Sequence, residues 1–441
     1  MICPVGFRAE RAVPGYADSA PRSNRGLRLN GRNFGVLCIA VFIIALPKMG
    51  VFFAGTVPLY LSVLVGEALA LIGWAHAVRT ANRRLSALAL GLLVVSFLIW
   101  TGHFLAYLGA PYGSLRGGAK MLFNFLPITG FGLIFYVTAK PSMLAPALKY
   151  TRYGFYFLLI YAALQLVFGA DNVAIQYVTA NYETDFEEII RKSNVIYRLG
   201  GETFKLFGTY QNGNLFSIAL ILLAPVALLA ETKLWRAVVA FGFLHVVILF
   251  SASTTSYISL AILDVIFAIS IPRLRPYLPL MIVVAIVVGA VAIRLYCPQQ
   301  SCGAVKLLQA KLFQRDLTDN LRWIKTGLWF ERIGAGVLIL FVGEMSSDVM
   351  TIFEVLPFSI AQYYGVIVLV LFYAVLLAAL RPWKFEVYKA GFITYLVSSF
   401  GSGGFWLTPI PYLLGFLLGV IILLDNREKE SAQNFQPTFA F

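Results

Sequence analysis

Charged residues are scarce in this chain. Lysine, arginine, aspartate and glutamate make up 13% of the 441 residues, whereas hydrophobic residues make up 59%. Soluble domains contain about 25% charged residues. The composition therefore excludes an ordinary water-soluble globular protein, and no segment of the chain offers the pattern of a soluble core.

Histidine and cysteine are also rare, with three and four copies respectively. The histidines, His76, His103 and His245, all fall in predicted helices. Cys297 and Cys302 lie in a predicted loop outside the cytoplasm, where an oxidising compartment would let them form a disulfide bond. No histidine accompanies them. We therefore predict no metal site and no cofactor, and leave this disulfide open.

Acidic residues are outnumbered by basic ones, 21 against 35, which gives a net charge of +14. A basic protein of this kind is a candidate for nucleic-acid binding. Here, however, the cations do not form one basic domain but stand in the gaps between apolar runs. Their distribution predicts no nucleic-acid partner.

What the chain does have is a series of long apolar runs. Each is close to the roughly 20 residues that a helix needs to cross a bilayer core of about 30 Å. Backbone groups in lipid must pair within their own segment, so these runs predict helices. We predict an all-α fold, a polytopic transmembrane bundle of about 12 helices, at 34–53, 56–78, 85–106, 120–139, 153–169, 214–230, 234–250, 255–270, 277–296, 358–380, 385–400 and 409–424.

The loops between these helices alternate in charge, as the positive-inside rule requires of a multi-pass protein. We predict a basic cytoplasmic tail at 1–33, a transmembrane domain at 34–424 and a cytoplasmic C-terminal tail at 425–441. Both termini then lie on the cytoplasmic side of the membrane. The loop cations assigned to that side are Arg79, Arg83, Arg84, Lys140, Lys149, Arg152, Lys233, Arg236, Arg273, Arg275, Arg381, Lys384, Arg427 and Lys429.

The opposite, non-cytoplasmic side carries two loops, 170–213 and 297–357, that are longer than ordinary connections and therefore call for a role. We expect short helices within them. The acidic stretch of the first loop is typical of a solvated amphipathic helix. Arg198 differs, because glycines follow it and would let the backbone fold over a ligand.

The second long loop mixes cations with aromatic residues, glycines and acids. Arginine suits a phosphate because its planar guanidinium donates two charge-assisted hydrogen bonds. Arginines in both loops thus favour an anionic, lipid-linked substrate. The alternative is that arginine, tryptophan and tyrosine here only anchor helices at headgroup depth. The second loop's cations are Lys311, Arg315, Arg322, Lys325 and Arg332.

Two acids, Glu67 and Asp264, fall inside predicted transmembrane helices. Ionised side chains are costly there and are usually paired or functional. They are candidates for a proton path, although we favour a neutral or salt-bridged packing role, because nothing near them in sequence completes a relay.

Three segments resemble the O-antigen polymerase family and the related O-antigen ligases, bacterial inner-membrane enzymes that act on undecaprenyl-pyrophosphate-linked glycans. The first is Arg198 followed by GTYQNGN at 208–214, in which Gly213 replaces the family's usual proline. The second is the serine-threonine turn SASTTSY at 251–257, which lacks the usual arginine. The third, in the second loop, comprises Arg322, Trp323, Gly334, Gly336, Gly343, Glu344, Asp348 and then Gly365.

The resemblance implies a polysaccharide polymerase, a glycosyltransferase that works without a metal. Arginines would stabilise the departing pyrophosphate, and a carboxylate would accept the proton of the acceptor hydroxyl. The catalytic candidates are Arg198, Arg322, Glu344 and Asp348. The substrate-binding candidates are Arg315, Tyr210, Asn212, Asn214 and Trp323, with the aromatic residues stacking on sugars or packing over helix ends.

Two other functions stay open. A ligase would transfer the glycan from its carrier to an acceptor, but the ligase resemblance implies a histidine in the second long loop, which has none. A transporter or flippase would use Glu67 and Asp264, although no internal repeat supports it. The expected partners are lipid-linked glycans and membrane lipids, together with a chain-length regulator and a flippase.

Overall fold

A computed structural model describes residues 31–54, 57–80, 82–109, 128–179, 206–251, 253–270, 283, 287, 356–384, 386–400 and 409–433. Within these residues the chain is helical apart from one short hairpin, so the predicted all-α class is confirmed. The α-helices are α1 (Gly31–Cys38), α2 (Leu61–Ala77), α3 (Arg83–Gly109), α4 (Gly132–Thr138), α5 (Leu144–Phe168), α6 (Ala170–Val173), α7 (Gly213–Leu229), α8 (Leu234–Phe250), α9 (Thr254–Ser270), α10 (Leu356–Tyr364), α11 (Val366–Leu380), α12 (Ala390–Ser398) and α13 (Ile410–Gln433).

Shorter elements complete the described part. A π-helical segment, Ile39–Ala45, continues α1, and 3₁₀ turns cover Pro141–Met143, Gly208–Tyr210 and Val387–Lys389. Two strands, β1 (Val51–Ala54) and β2 (Val57–Tyr60), pair antiparallel, with Val51 opposite Tyr60 and Ala54 opposite Val57.

The hairpin corrects the first predicted helix, 34–53, and the start of the second, 56–78. The helical run ends at Ala45. Beyond it, Gly50 adopts a φ of +63°, and its N–H donates to the Tyr177 carbonyl at 2.9 Å. The Ser62 hydroxyl donates to the Pro47 carbonyl at 2.6 Å. These contacts hold 46–50 as a turn, and the apolar residues after it pair as strands instead of extending a helix.

Three other predicted bounds also differ from the structure. The helix predicted at 153–169 begins at Leu144, so Lys149 and Arg152 lie in its first turns rather than in a loop. The run predicted at 358–380 is divided at Gly365, whose φ of +88° no regular helix accommodates. The last helix continues to Gln433, nine residues into the predicted tail at 425–441.

Two helices of the described part are long and apolar enough to cross a membrane. They are Pro141–Phe168, which includes α5, and Ile410–Lys429, within α13. Shorter apolar helices of 10–17 residues are Asn33–Ala45, Leu61–Ala77, Gly213–Leu229, Leu234–Phe250, Thr255–Ser270 and Val366–Leu380.

Small residues let the backbones of α2, α4 and α13 approach closely, as in helix pairs that pack within lipid. A Cβ atom on Gly73 of α2 would overlap the Gly132 carbonyl of α4. A Cβ atom on Gly415 of α13 would lie 2.6 Å from the carbonyl of Gly130. Gly419, one turn later, faces Ile134 in the same way, so α13 and α4 run in the same direction.

Hydrogen bonds join the helix ends in two separate sets. At one end, Arg84 bonds the Ala379 carbonyl at 2.5 Å and Asp425 at 2.9 Å, and Arg152 bonds the Ala230 carbonyl at 2.9 Å. We call this the basic end, because Arg84, Arg152 and Lys389 lie there. At the opposite end, the turn before α7 bonds to Ala45 and to Phe250, the last residue of α8.

Candidate functional site

The turn that opens α7 is the best-defined polar feature of the opposite end. We call residues 206–214 the α7 turn. Gly208–Tyr210 form a 3₁₀ turn, and Gln211 follows with a φ of +60°. Asn212 then caps α7, with its side-chain oxygen accepting from the Asn214 N–H at 2.9 Å. This cap satisfies one of the free N–H groups at the helix start.

Partners distant in sequence fix the α7 turn. The Gln165 side chain accepts from the Gly208 N–H at 2.9 Å, in the buried interior. The Thr209 hydroxyl donates to the Ala45 carbonyl at 2.7 Å, and the Tyr210 hydroxyl donates to the Ile44 carbonyl at 3.1 Å. The turn is therefore tied to both α5 and the end of the π-helical segment, and its backbone geometry is set before any ligand binds.

Three predicted substrate-binding residues, Tyr210, Asn212 and Asn214, lie in the α7 turn, and they differ in how far they are buried. Tyr210 is fully buried, and its ring packs against Phe216 with centroids 6.0 Å apart. Because its ring is packed inside the protein, Tyr210 is not exposed to stack on a sugar in this conformation. Asn212 is exposed and Asn214 is half-buried, so these two amides lie at the surface of the turn.

A second segment of the family resemblance lies directly beside the first. The Leu206 N–H donates to the Phe250 carbonyl at 3.0 Å, which places the α7 turn against the start of SASTTSY at 251–257. The Tyr257 hydroxyl donates to the Leu249 carbonyl at 2.8 Å and so ties the far side of that turn to α8. Along the chain α7 and α8 separate these two segments, whereas in the structure Leu206 and Phe250, just before each of them, are hydrogen-bonded.

The other predicted site residues lie outside the described part of the chain. They are Arg198, Arg315, Arg322, Trp323, Glu344 and Asp348, and with them Cys297 and Cys302. Within the described ranges, no group of three histidine, cysteine, aspartate or glutamate side chains is placed to bind a metal ion.

Glu67 has partners that the sequence did not indicate. Its carboxylate accepts from the Thr129 hydroxyl at 2.6 Å and from the Tyr412 hydroxyl at 2.8 Å. The acid thereby links α2 to the residues before α4 and to the start of α13. Two hydroxyl donors supply hydrogen bonds that lipid cannot, which offsets part of the cost of placing the carboxyl in the bundle.

Asp264 pairs with His245 across the helical hairpin α8–α9. His245 Nε2 lies 3.1 Å from the Asp264 carboxylate, and Nδ1 lies 2.8 Å from the Phe241 carbonyl. A carbonyl only accepts, so Nδ1 carries a proton. The Nε2 atom then either holds a second proton or accepts one from the carboxyl group, which means that the pair shares a proton between two side chains.

No protein-family model, curated protein or solved structure matches the chain.

The fixed geometry of the α7 turn leads to a test on Gly208. This glycine has a φ of +58°, and a Cβ atom there would overlap the Phe216 ring. Gly208→Ala is expected to cost at least about 1 kcal/mol from the left-handed backbone alone, and more from the displaced ring. Gly242→Ala is the matched control, since no atom lies within 4 Å of its added carbon.

Thermal unfolding in detergent measures both variants. A clear fall in Tm for Gly208→Ala beside an unchanged or raised Tm for Gly242→Ala is the expected result. Equal Tm values for the two variants would show that the turn is not held as described.

Proposed function

We propose that this protein is a multi-pass inner-membrane glycosyltransferase that polymerises undecaprenyl-pyrophosphate-linked repeat units at the periplasmic face. The observation that carries the proposal is the 3.0 Å hydrogen bond from the Leu206 N–H, at the start of the α7 turn, to the Phe250 carbonyl, one residue before SASTTSY. It supports a site in which two segments of the polymerase resemblance are neighbours.

The reaction moves a growing glycan from its carrier to the next repeat unit. A hydroxyl oxygen of the acceptor sugar attacks the anomeric carbon of the donor glycan. The new glycosidic C–O bond forms as the C–O bond to the pyrophosphate breaks, and undecaprenyl pyrophosphate leaves with the electron pair. The hydroxyl proton passes to a carboxylate, for which Glu344 and Asp348 are the candidates.

The pyrophosphate gains negative charge as it leaves, so the site must supply positive charge there. Arg198 and Arg322 are assigned this role, with Arg315 holding the substrate, because preorganised arginines stabilise such charge without a metal. The start of α7 adds the positive end of a helix dipole on the same side. Asn212, exposed at this start, and Asn214 are suited to bind glycan or phosphate oxygens.

The proposal includes a bundle of about 12 spans with both termini in the cytoplasm. The two long apolar helices support a membrane location, and the two sets of joined helix ends support two-sided insertion. Whether the product is O-antigen or exopolysaccharide depends on which sugars the enzyme accepts.

Single-cysteine labelling tests this topology. In a variant whose four native cysteines are replaced by serine, Asn172→Cys is expected to react with a membrane-impermeant maleimide in intact spheroplasts. Lys140→Cys and Lys233→Cys, also exposed positions, are expected to react only after permeabilisation. Labelling of all three positions in intact spheroplasts, or of none, would contradict the proposed insertion.

A transporter is the second candidate, and the paired acids favour it. The His245–Asp264 pair holds a shared proton, and Glu67 sits among hydroxyl donors inside the bundle. Proton-coupled carriers place ionisable groups in such positions. The transporter assignment leaves the α7 turn and its contact with residues 250–257 without a role.

A further inference from the structure

Asp425 is the centre of a charge cluster at the basic end. Its carboxylate accepts from Arg84 at 2.9 Å, from Lys389 Nζ at 2.9 Å and from the Tyr388 hydroxyl at 2.8 Å. These donors come from α3 and from the 3₁₀ turn before α12. Lys389 is 1% exposed and Asp425 is 8% exposed, so one buried carboxylate faces two cations within the protein.

The cations of this cluster outnumber its acids. Arg84 Nε and Nη1 are buried and have no hydrogen-bond partner within the described part of the chain. Lys429 follows Asp425 by one turn of α13, and Lys389 Nζ bonds both Asp425 and the Lys384 carbonyl, so these basic residues lie close together. The cations are Arg84, Arg381, Lys384, Lys389 and Lys429, and the acids are Glu386, Asp425 and Glu428.

Neighbouring acids do not balance this surplus. Glu428 accepts from the Tyr388 hydroxyl at 3.2 Å, which directs it towards the tyrosine. Arg381, Lys384 and Lys429 form no ion pair with an acid of the described residues, so an external anion is the partner that would neutralise them.

The linker Arg381–Lys384 presents its basic residues in a fixed shape. Arg381 caps α11 in the left-handed region, with a φ of 50°, and its N–H donates to the Leu377 carbonyl at 2.9 Å. The Lys384 N–H donates to the Arg381 carbonyl at 3.0 Å, and Lys389 Nζ donates to the Lys384 carbonyl at 2.7 Å. A left-handed arginine is costly, and these bonds hold it in place.

Trp383, between the two basic residues of this linker, indicates which anion is bound. Its side chain is 70% exposed. Tryptophan is enriched where protein meets the polar region of a bilayer. In water, exposing so large an apolar ring would be unfavourable. A headgroup phosphate with its acyl chains would contact the cations and the ring together.

We propose that Arg381, Lys384 and Lys429 form a binding site for the phosphate of an anionic phospholipid, next to the exposed Trp383. Arg84 and Lys389, which are buried below this surface, add positive charge. Lys389 also bonds the Lys384 carbonyl and Asp425, and so holds the linker in place. The inference rests on the membrane location in the proposed function and is independent of glycosyl transfer.

Native mass spectrometry of the full-length protein, with phosphatidylglycerol or phosphatidylcholine added to the micelles, tests the site. Each cation near an anionic surface contributes about 1 kcal/mol, so Arg381→Gln with Lys384→Gln is expected to weaken phosphatidylglycerol binding roughly 30-fold. Arg79→Gln with Lys140→Gln removes the same charge from exposed positions outside the cluster, and is expected to leave binding nearly unchanged.

Each outcome decides the proposal. Selective loss of phosphatidylglycerol in the Arg381/Lys384 variant, with phosphatidylcholine binding unaffected, supports it. Equal losses in the two double variants would show a diffuse basic surface and overturn it. Binding of inorganic phosphate at the same residues without preference between the lipids would assign the site to a soluble anion and would also overturn it. Glycan synthesis is not measured, so failure of this test leaves the polymerase proposal standing.

Discussion

Replacing Arg198 and Arg322 together with alanine is expected to leave cells with single repeat units on the outer-membrane acceptor instead of long chains. Each arginine is proposed to donate to the departing pyrophosphate, and the loss of one such donor costs about 100- to 1,000-fold in rate. The measurement is complementation of a polymerase-deficient strain, with chain length read on a gel and the protein level checked by immunoblot.

A matched variant separates this role from loop charge in general. Arg191→Ala with Lys311→Ala removes one cation from each of the same two loops, and long chains are expected to persist. Full-length polysaccharide from the Arg198/Arg322 variant, at a normal protein level, would remove the arginine assignment. The transporter candidate predicts the reverse pattern, in which the loop arginines are dispensable and Glu67→Gln abolishes activity.

The largest expected effect on stability comes from Asp425→Ala. The substitution leaves Arg84, Lys389 and Tyr388 without the acceptor that they share. Removing one partner of a buried ion pair costs about 3–5 kcal/mol, because the remaining charge stays buried. Thermal unfolding in detergent is expected to show a large fall in Tm, and a lower yield of folded protein accompanies it.

Glu428→Ala is the control for that experiment. Glu428 is exposed and makes a 3.2 Å contact with Tyr388, so its removal deletes the same charge from the same helix at a cost of about 1 kcal/mol or less. Similar shifts for Asp425→Ala and Glu428→Ala would mean that the buried pairs do not hold α3, α13 and the 3₁₀ turn before α12 together.

The sequence predicted helices well where an apolar run is bounded by polar loops on both sides. The runs expected at 214–230, 234–250 and 255–270 differ from α7, α8 and α9 by at most one residue at each end. Hydrophobicity alone could not predict the hairpin at 51–60 or the break at Gly365, because the residues there are as apolar as those in a helix. Backbone geometry decides both, through the positive φ angles of Gly50 and Gly365.

Partners distant in sequence were the least predictable part of the candidate site. Gln165 anchors the α7 turn from a helix 43 positions away, and no local pattern marks it. Thr129 and Tyr412 reach Glu67 from two other parts of the chain. The sequence places Asp264 and His245 in predicted helices. Only the packing of α8 against α9 shows that the two side chains pair. The cap at Asn212, in contrast, follows from the residue type that helix starts prefer.

Reconstitution of the purified protein with an undecaprenyl-pyrophosphate-linked repeat unit tests the proposed function most directly. The proposal predicts a ladder of longer lipid-linked glycans, with one undecaprenyl pyrophosphate released for each unit added and no dependence on divalent metal. Unchanged repeat units after incubation with folded protein, when the lipid-linked substrate is present on the correct side of the vesicle, would contradict it.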